Sequence, residues 1–188
     1  MHSVWKTSLR FALLTTVLFG LGYPLAVTGI AGMLFPRKAA GSLVLKNGQV
    51  VGSELLAQGF SSDRYFHPRP SAAGNGYDAA NSGASNLAQT NASFVHRTQS
   101  DIDKLRAGDP SQQVPMDLVT TSGSGLDPDI TPDAALYQVA RVARARGLSG
   151  EHVRELIRKH TVGRQFGLLG EPRVNVLELN MDLDHLNN

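Results

Sequence analysis

The longest unbroken pattern in the chain is apolar. Residues 11–35 run for 25 positions without a charged side chain. As a helix rising 1.5 Å per residue they reach about 37 Å, against a bilayer hydrocarbon core of about 30 Å. Lys6 and Arg10 precede the run, and Arg37-Lys38 follow it at once. A cleavable signal peptide would explain the basic start and the small residues of Gly29-Ile30-Ala31, but its apolar stretch spans only about 7–15 residues. The length and the immediate basic stop favour an anchor. Pro24 has no backbone donor and predicts a kink whose freed groups neighbouring helices help satisfy. Gly22, Ala26 and Gly29 fall at i, i+4 and i+7, giving one face on which a second helix can approach closely. Glycine is also common in membrane helices at large, so both readings of that face stand.

Beyond residue 36 the periodicity changes from segment to segment. Ser42-Leu43-Val44-Leu45 and Val50-Val51 enclose Lys46-Asn47-Gly48-Gln49, and Asn-Gly between apolar runs predicts a β-hairpin because both turn residues take positive φ. Phe66-His67-Pro68-Arg69-Pro70-Ser71 excludes regular helix. Residues 72–91 are dominated by Gly, Ala, Ser and Asn. Composition reads them as a flexible linker, while Tyr65, Phe66, Tyr77 and Leu87 would anchor an ordered irregular loop. Val95, Thr98, Ile102 and Leu105 predict a helix over 94–105, stopped by Gly108-Asp109-Pro110. Residues 115–121 read as a strand. Thr131 caps a helix that has Pro132 in its first turn and Gly147 as its stop, and Ser149 caps the next. Residues 173–179 read as a strand whose alternation changes phase between Val176 and Leu177, predicting a bulge or burial on both faces. The fold class is α+β: a single N-terminal transmembrane helix followed by one mixed α/β soluble domain. A faint echo links Ser82-Gly83-Ala84-Ser85-Asn86-Leu87 to Ser122-Gly123-Ser124-Gly125-Leu126-Asp127.

With 188 residues in total, the polar remainder makes one ordinary domain and rules out two large ones. The absence of cysteine excludes disulfide scaffolds, thiol nucleophiles, Cys-type zinc sites and iron–sulfur clusters, and leaves the compartment open. The net charge of +2 also divides unevenly. Four of the 18 basic residues flank the apolar run, so the remainder balances 14 basic against 16 acidic side chains and is no nucleic-acid surface on charge alone. The positive-inside rule does not fix the orientation, because Lys6, Arg10 and the N-terminal amine on one side balance Arg37, Lys38 and Lys46 on the other.

Candidate chemistry is sparse. The helix pair around Gly147-Leu148-Ser149 has the outline of a helix-turn-helix, and residues 141–164 carry seven basic and two acidic side chains, enough to attract phosphate; short-turn helix pairs are also common packing units. Gly123-Ser124-Gly125 permits close backbone approach to a phosphate, although the lysine and spacing of a phosphate loop are missing. Ser122 and Ser124 fail the nucleophile-elbow pattern because Thr120 stands where its first glycine belongs. His67, His96, His152, His160 and His185 show no metal-ligand spacing. Asp127-Pro128-Asp129 and Asp182-Leu183-Asp184 read as turns or solvated ends rather than as acid–base pairs.

Taken together, Tyr23-Pro24-Leu25, the segments 66–71, 82–91, 117–120 and 124–128, Arg141-Val142-Ala143 and the segment 174–180 resemble the C-subunit family (KdpC) of the bacterial high-affinity potassium-transporting P-type ATPase. The likeness runs over nearly the whole chain, with Ala84, Ala88 and Gln89 departing from the family's glycine-rich loop. It implies a non-catalytic accessory subunit without a cofactor of its own, in a complex where other chains handle ATP and potassium. The implied partners are a channel-like potassium-binding subunit, an ATP-hydrolysing P-type subunit and a small membrane peptide. The implied layout is a cytoplasmic stretch over residues 1–10, a span of the inner membrane over 11–35 and a periplasmic domain over 36–188. The family is described as a catalytic chaperone that raises ATP affinity, with Ser122, Gly123, Ser124 and Gly125 as the nucleotide contact. Because a periplasmic domain faces away from cytoplasmic ATP, a structural role is preferred, in which Gly22, Pro24, Ala26 and Gly29 pack the span and the body caps the outer mouth of the ion-binding subunit. A membrane-anchored helix-turn-helix regulator and a secreted binding protein cleaved after Ala31 are the rival readings.

Overall fold

The computed structural model describes residues 2–108 and 110–186; Asp109 of the expected Gly108-Asp109-Pro110 stop lies outside the described residues. Two compact units meet at Leu43 and Val44. The first is a helical run: α1 (His2–Thr15), a π-helical segment (Thr16–Gly22) and α2 (Tyr23–Leu34). The Tyr23 N–H reaches back five residues to the Leu18 carbonyl. That widening, immediately ahead of Pro24, accommodates a residue with no donor to offer the preceding turn. The Thr15 hydroxyl donates to the Phe11 carbonyl (2.9 Å). Over Val4–Leu34 the run is long and apolar enough to cross a membrane. The short α3 (Pro36–Ala39) follows, with Ala39 N–H to Phe35 O (2.9 Å) and Ser42 N–H to Arg37 O (3.0 Å) closing its turns.

The second unit opens with the hairpin β1 (Leu43–Lys46) and β2 (Gln49–Ser53). Asn47 and Gly48 both take positive φ, 54° and 78°, as the Asn-Gly turn predicts. Residues 72–91 contain no regular element, yet they are ordered. Ala73 is fully buried, and the two echoing Ser-Gly segments lie side by side, with Gly83 N–H donating to the Ser124 carbonyl (2.9 Å). α4 (Ala92–Arg106) begins at Asn91, whose side chain accepts from Ser93 and Phe94 N–H.

The expected strand over 115–121 is instead a single 3-10 turn, Met116–Leu118. Leu118 and Val119 are buried side by side, which alternation cannot provide. Asp117 accepts the Thr131 N–H (2.8 Å), fixing the turn to the next helix. β3 (Asp129–Ile130) leads into α5 (Pro132–Tyr137), capped by the Thr131 side chain on Ala134 N–H. α6 (Val139–Arg146) follows after a break at Gln138. It closes in a Schellman turn, with Gly147 at φ 68°, Leu148 N–H to Ala143 O and Gly147 N–H to Arg144 O. α7 (Gly150–His160) starts at Ser149, whose hydroxyl accepts from His152 N–H (3.2 Å). It presents Val153, Leu156 and Ile157 to the core, each worth roughly 1.5–3 kcal/mol of burial.

β4 (Thr161–Val162) and β5 (Arg173–Asn175) complete an antiparallel sheet of order β3-β5-β4, with Ile130 and Thr161 both opposite Val174. The expected strand over 173–179 ends at Asn175, where α8 (Val176–His185) begins. The phase change at Leu177 marks this switch of period rather than a bulge. From there Val176, Leu179, Asn180 and Leu183 are buried at helical spacing, and Asn175 accepts the Glu178 N–H (3.1 Å) in an N-cap with Glu at the third helical position. The core joins α5–α8 and β5 to Phe66, so the fold is α+β.

Candidate functional site

Phe66 is completely buried in a segment that no ladder can serve. Its N–H donates to Asn180 Oδ1 (2.8 Å) and its carbonyl accepts from Asn180 Nδ2 (2.9 Å). The next residue is held in the same way, with His67 N–H on Gln138 Oε1 (2.8 Å) and His67 O accepting from Gln138 Nε2 (3.1 Å). Two side-chain amides thus stand in for a neighbouring strand, one of them from Gln138 at the junction of α5 and α6. Burial, reinforced by the Arg141 guanidinium, holds the His67 imidazole below its ordinary range.

Arg69 and Ser71 extend the clamp to the Ser-Gly loop. Arg69 pairs with Asp127 (3.2 Å) and donates to the Thr120 and Thr121 carbonyls. The Ser71 hydroxyl donates to Gly125 O (2.6 Å) and accepts from Tyr77 N–H (2.8 Å). Gly125 is buried at φ 68°, where an added Cβ would run into the Gly83 carbonyl and the Ala73 amide. The Ser124 hydroxyl accepts the Leu126 N–H (3.1 Å), and its carbonyl accepts from Ser82 and Gly83. Ser122 is buried, whereas Gly123 and Ser124 form the exposed tip. No helix starts at this loop; the nearest, α5, begins at Pro132. The four residues expected to contact nucleotide therefore lie together in a loop whose hydrogen bonds stitch segments 71–83 and 120–127 to one another.

Of the other packing candidates, Gly22, Pro24, Ala26 and Gly29 are all exposed on the apolar helix. At about 100° per residue Gly22, Ala26 and Gly29 share an arc of about 60°. A Cβ at Gly29 meets nothing within 4 Å, and one at Gly22 meets only the Val17 carbonyl at 3.5 Å. Their smallness is not required by the chain itself.

The basic stretch 141–164 is largely spoken for inside the fold. Arg146, with a side chain only 1% exposed, pairs with Asp184 (3.0 Å), donates to the Arg64 and Leu183 carbonyls and lies over the Tyr65 ring. Arg158 bridges Glu151 and Glu155, Lys159 and His160 meet Asp182, and Arg164 meets Glu171. A helix pair is present, and these pairings engage most of its cations with carboxylates, which weakens its attraction for phosphate. Asp184 is the hub of a shallow cleft of about 260 Å³ beside Tyr65 and Lys46. Burial pushes its carboxyl up, but hydrogen bonds from Arg146, Lys46 and Tyr65 outweigh this and hold it below the usual range. His96 and His152 are exposed, and among the described residues no His, Asp and Glu cluster suited to a metal is found. Sequence reasoning missed Asn180 and Gln138 as clamps; the Asn175 cap with Glu178 was the signal that places Asn180 on a helix.

Among curated proteins, 55% identity over 191 residues links the chain to the "Potassium-transporting ATPase KdpC subunit" of Rhodopseudomonas palustris (strain BisB5), covering 95% of each. The proteins of the same name from Koribacter versatilis (strain Ellin345) and Acidobacterium capsulatum are 53% and 54% identical, over 95% and 96% of this chain and 92% and 97% of theirs. A family model described as "KdpC: K+-transporting ATPase, c chain" matches residues 5–185, which takes in the apolar helix, the clamped segment, the Ser-Gly loop and α8 alike, and the chain therefore belongs to that family.

Proposed function

We propose that this chain is an accessory subunit of an ATP-driven potassium uptake complex, anchored once in the bacterial inner membrane by residues 11–35. Residues 1–10 lie in the cytoplasm and residues 36–188 in the periplasm. Its partners are the channel-like potassium-binding subunit, the ATP-hydrolysing P-type subunit and the small membrane peptide. The body caps the outer mouth of the ion-binding subunit, and the chain contributes assembly and stability while ATP and potassium are handled by the other subunits. An effect on ATP affinity of the catalytic-chaperone kind then reaches the ATP-hydrolysing subunit through the packed span, because a periplasmic Ser122–Gly125 loop faces away from cytoplasmic ATP.

The observation that carries this reading is the apolar helix over Val4–Leu34, with a smooth face at Gly22, Ala26 and Gly29 that the chain itself does not use, in a protein so similar to proteins named as subunits of a potassium-transporting ATPase. Small-residue faces let helix backbones approach where no hydrophobic effect drives association. Gly22, Ala26 and Gly29 are exposed on the helix and an added Cβ at either glycine has room, so replacing the three by Leu is expected to reduce copurification with the two large subunits. Unchanged recovery together with unchanged potassium uptake refutes docking through this face. Digestion of the body by protease added to spheroplasts tests the orientation; full protection would favour the cytoplasmic-regulator reading instead.

A further inference from the structure

Between β4 and β5 the chain makes a tight hairpin that stands away from the core. Gln165 N–H donates to Leu169 O (2.8 Å), Leu168 and Leu169 N–H both return to Gln165 O (3.0 and 2.9 Å), and Gly167 N–H reaches Arg164 O (3.1 Å). Arg164 and Glu171 close its base as an ion pair (2.6 Å). At the tip Phe166 is 92% exposed, Leu168 79% and Leu169 61%. Phe166 also holds a left-handed φ of 54°, a conformation costing a non-glycine residue roughly 1–2 kcal/mol. A bulky aromatic is thus held in an unfavourable backbone state with almost none of its surface buried by the fold.

Three features narrow what covers this tip. The three side chains offer apolar surface on the order of 400 Å², half of the roughly 800 Å² per partner of a stable free-standing interface. That is too little to hold two copies of the chain together from dilute solution, but sufficient as an added contact on a partner already kept close by another tie, where the effective concentration is in the millimolar range. The apolar helix supplies such a tie. Secondly, membrane-surface segments pair apolar residues with free Lys or Arg, whereas the hairpin's only cation between residues 163 and 171, Arg164, is matched by Glu171. Thirdly, the hydrogen-bonded hairpin is pre-shaped, which suits a fixed pocket and lowers the entropy lost on docking.

We propose that the Phe166-Gly167-Leu168-Leu169 tip is a peg that inserts into an apolar pocket on another protein subunit of the transport complex. This rests on the accessory-subunit reading above. To test it, the full chain carrying Phe166→p-benzoylphenylalanine is co-produced with the other subunits and irradiated in membranes, and a Phe166→Ser, Leu168→Ser double variant is carried through the same purification. The peg predicts a crosslink to another subunit and about a tenfold loss of retention after dilution in mild detergent, with the thermal midpoint of the chain unchanged. Crosslinks to lipid alone or to a second copy, full retention of the double variant, or a lowered midpoint showing that the tip serves the body's own packing would each overturn it. If the unaltered chain copurifies with no other subunit, the accessory-subunit reading fails and the peg falls with it; if the unaltered chain copurifies and the tip results are negative, the peg alone fails.

Discussion

Asn180→Leu isolates the amide clamp. Asn180 is 2% exposed, and its side chain bonds the N–H and carbonyl of Phe66, itself at 0%. Leucine keeps the branched outline with two bulkier methyl ends, so the change removes two hydrogen bonds and leaves no cavity, and any overpacking adds to the loss. Each orphaned backbone group costs about 1–3 kcal/mol when buried, and the added apolar contact returns on the order of 1 kcal/mol. The net loss is therefore about 3 kcal/mol, a large share of the 5–15 kcal/mol that holds an ordinary domain together. For a body of this size that lowers the unfolding midpoint by about 6–12 °C. The assay is thermal and urea unfolding of the full chain in detergent, beside Met181→Leu, a volume-conserving change at the half-buried neighbouring position that should cost under about 1.5 kcal/mol. If Asn180→Leu unfolds within about 2 °C of the unaltered chain, the amide does not sustain the buried segment and the clamp argument is wrong.

Two further perturbations test neighbouring parts of the same architecture. The imidazole of His67 is held below its ordinary value of 6.5, first by burial and then by Arg141, so the unfolded chain binds the proton more readily. Its contribution to stability is complete above about pH 6.5 and is lost as pH falls through the lowered folded value; unfolding midpoints measured from neutral to mildly acidic pH should show this loss in the unaltered chain and a shallower one in His67→Gln, and equal slopes would contradict it. Gly125→Ala places a Cβ against Gly83 and Ala73 at a left-handed φ, which should cost at least about 2 kcal/mol and expose residues 72–91 to limited proteolysis, whereas Gly123→Ala, with open space around it, should be neutral.

How much of this was readable in advance depended on the range of the interactions involved. The caps at Thr131 and Ser149, the Gly147 stop and the Asn47-Gly48 turn rest on contacts within a few residues, and each was found where the residues placed it. Segments 115–121 and 173–179 misled because period-2 alternation over a few positions also fits a turn with two adjacent buried residues or a strand passing into a helix. Composition left residues 72–91 open between linker and ordered loop, since Gly, Ser and Asn serve both. The apolar helix and its small face were legible from residue types alone.

The sequence by itself therefore determined the pieces whose energetics are local: the length and apolarity of the N-terminal helix, the helix starts and stops, the hairpin turn, and the segments that carry the family likeness. Only the tertiary structure decided what becomes of the irregular segments, because their backbone groups are satisfied across long stretches of chain. Phe66 finds Asn180, His67 finds Gln138, Arg69 finds Asp127 and Gly83 finds Ser124, and no local pattern announces such partners. It also decided part of the meaning of charge: Arg146 and Lys159, from the cationic run at 141–164, meet Asp184 and Asp182 of α8, which only the fold brings to them, so Arg146, which helped suggest a phosphate surface, serves the protein's own packing.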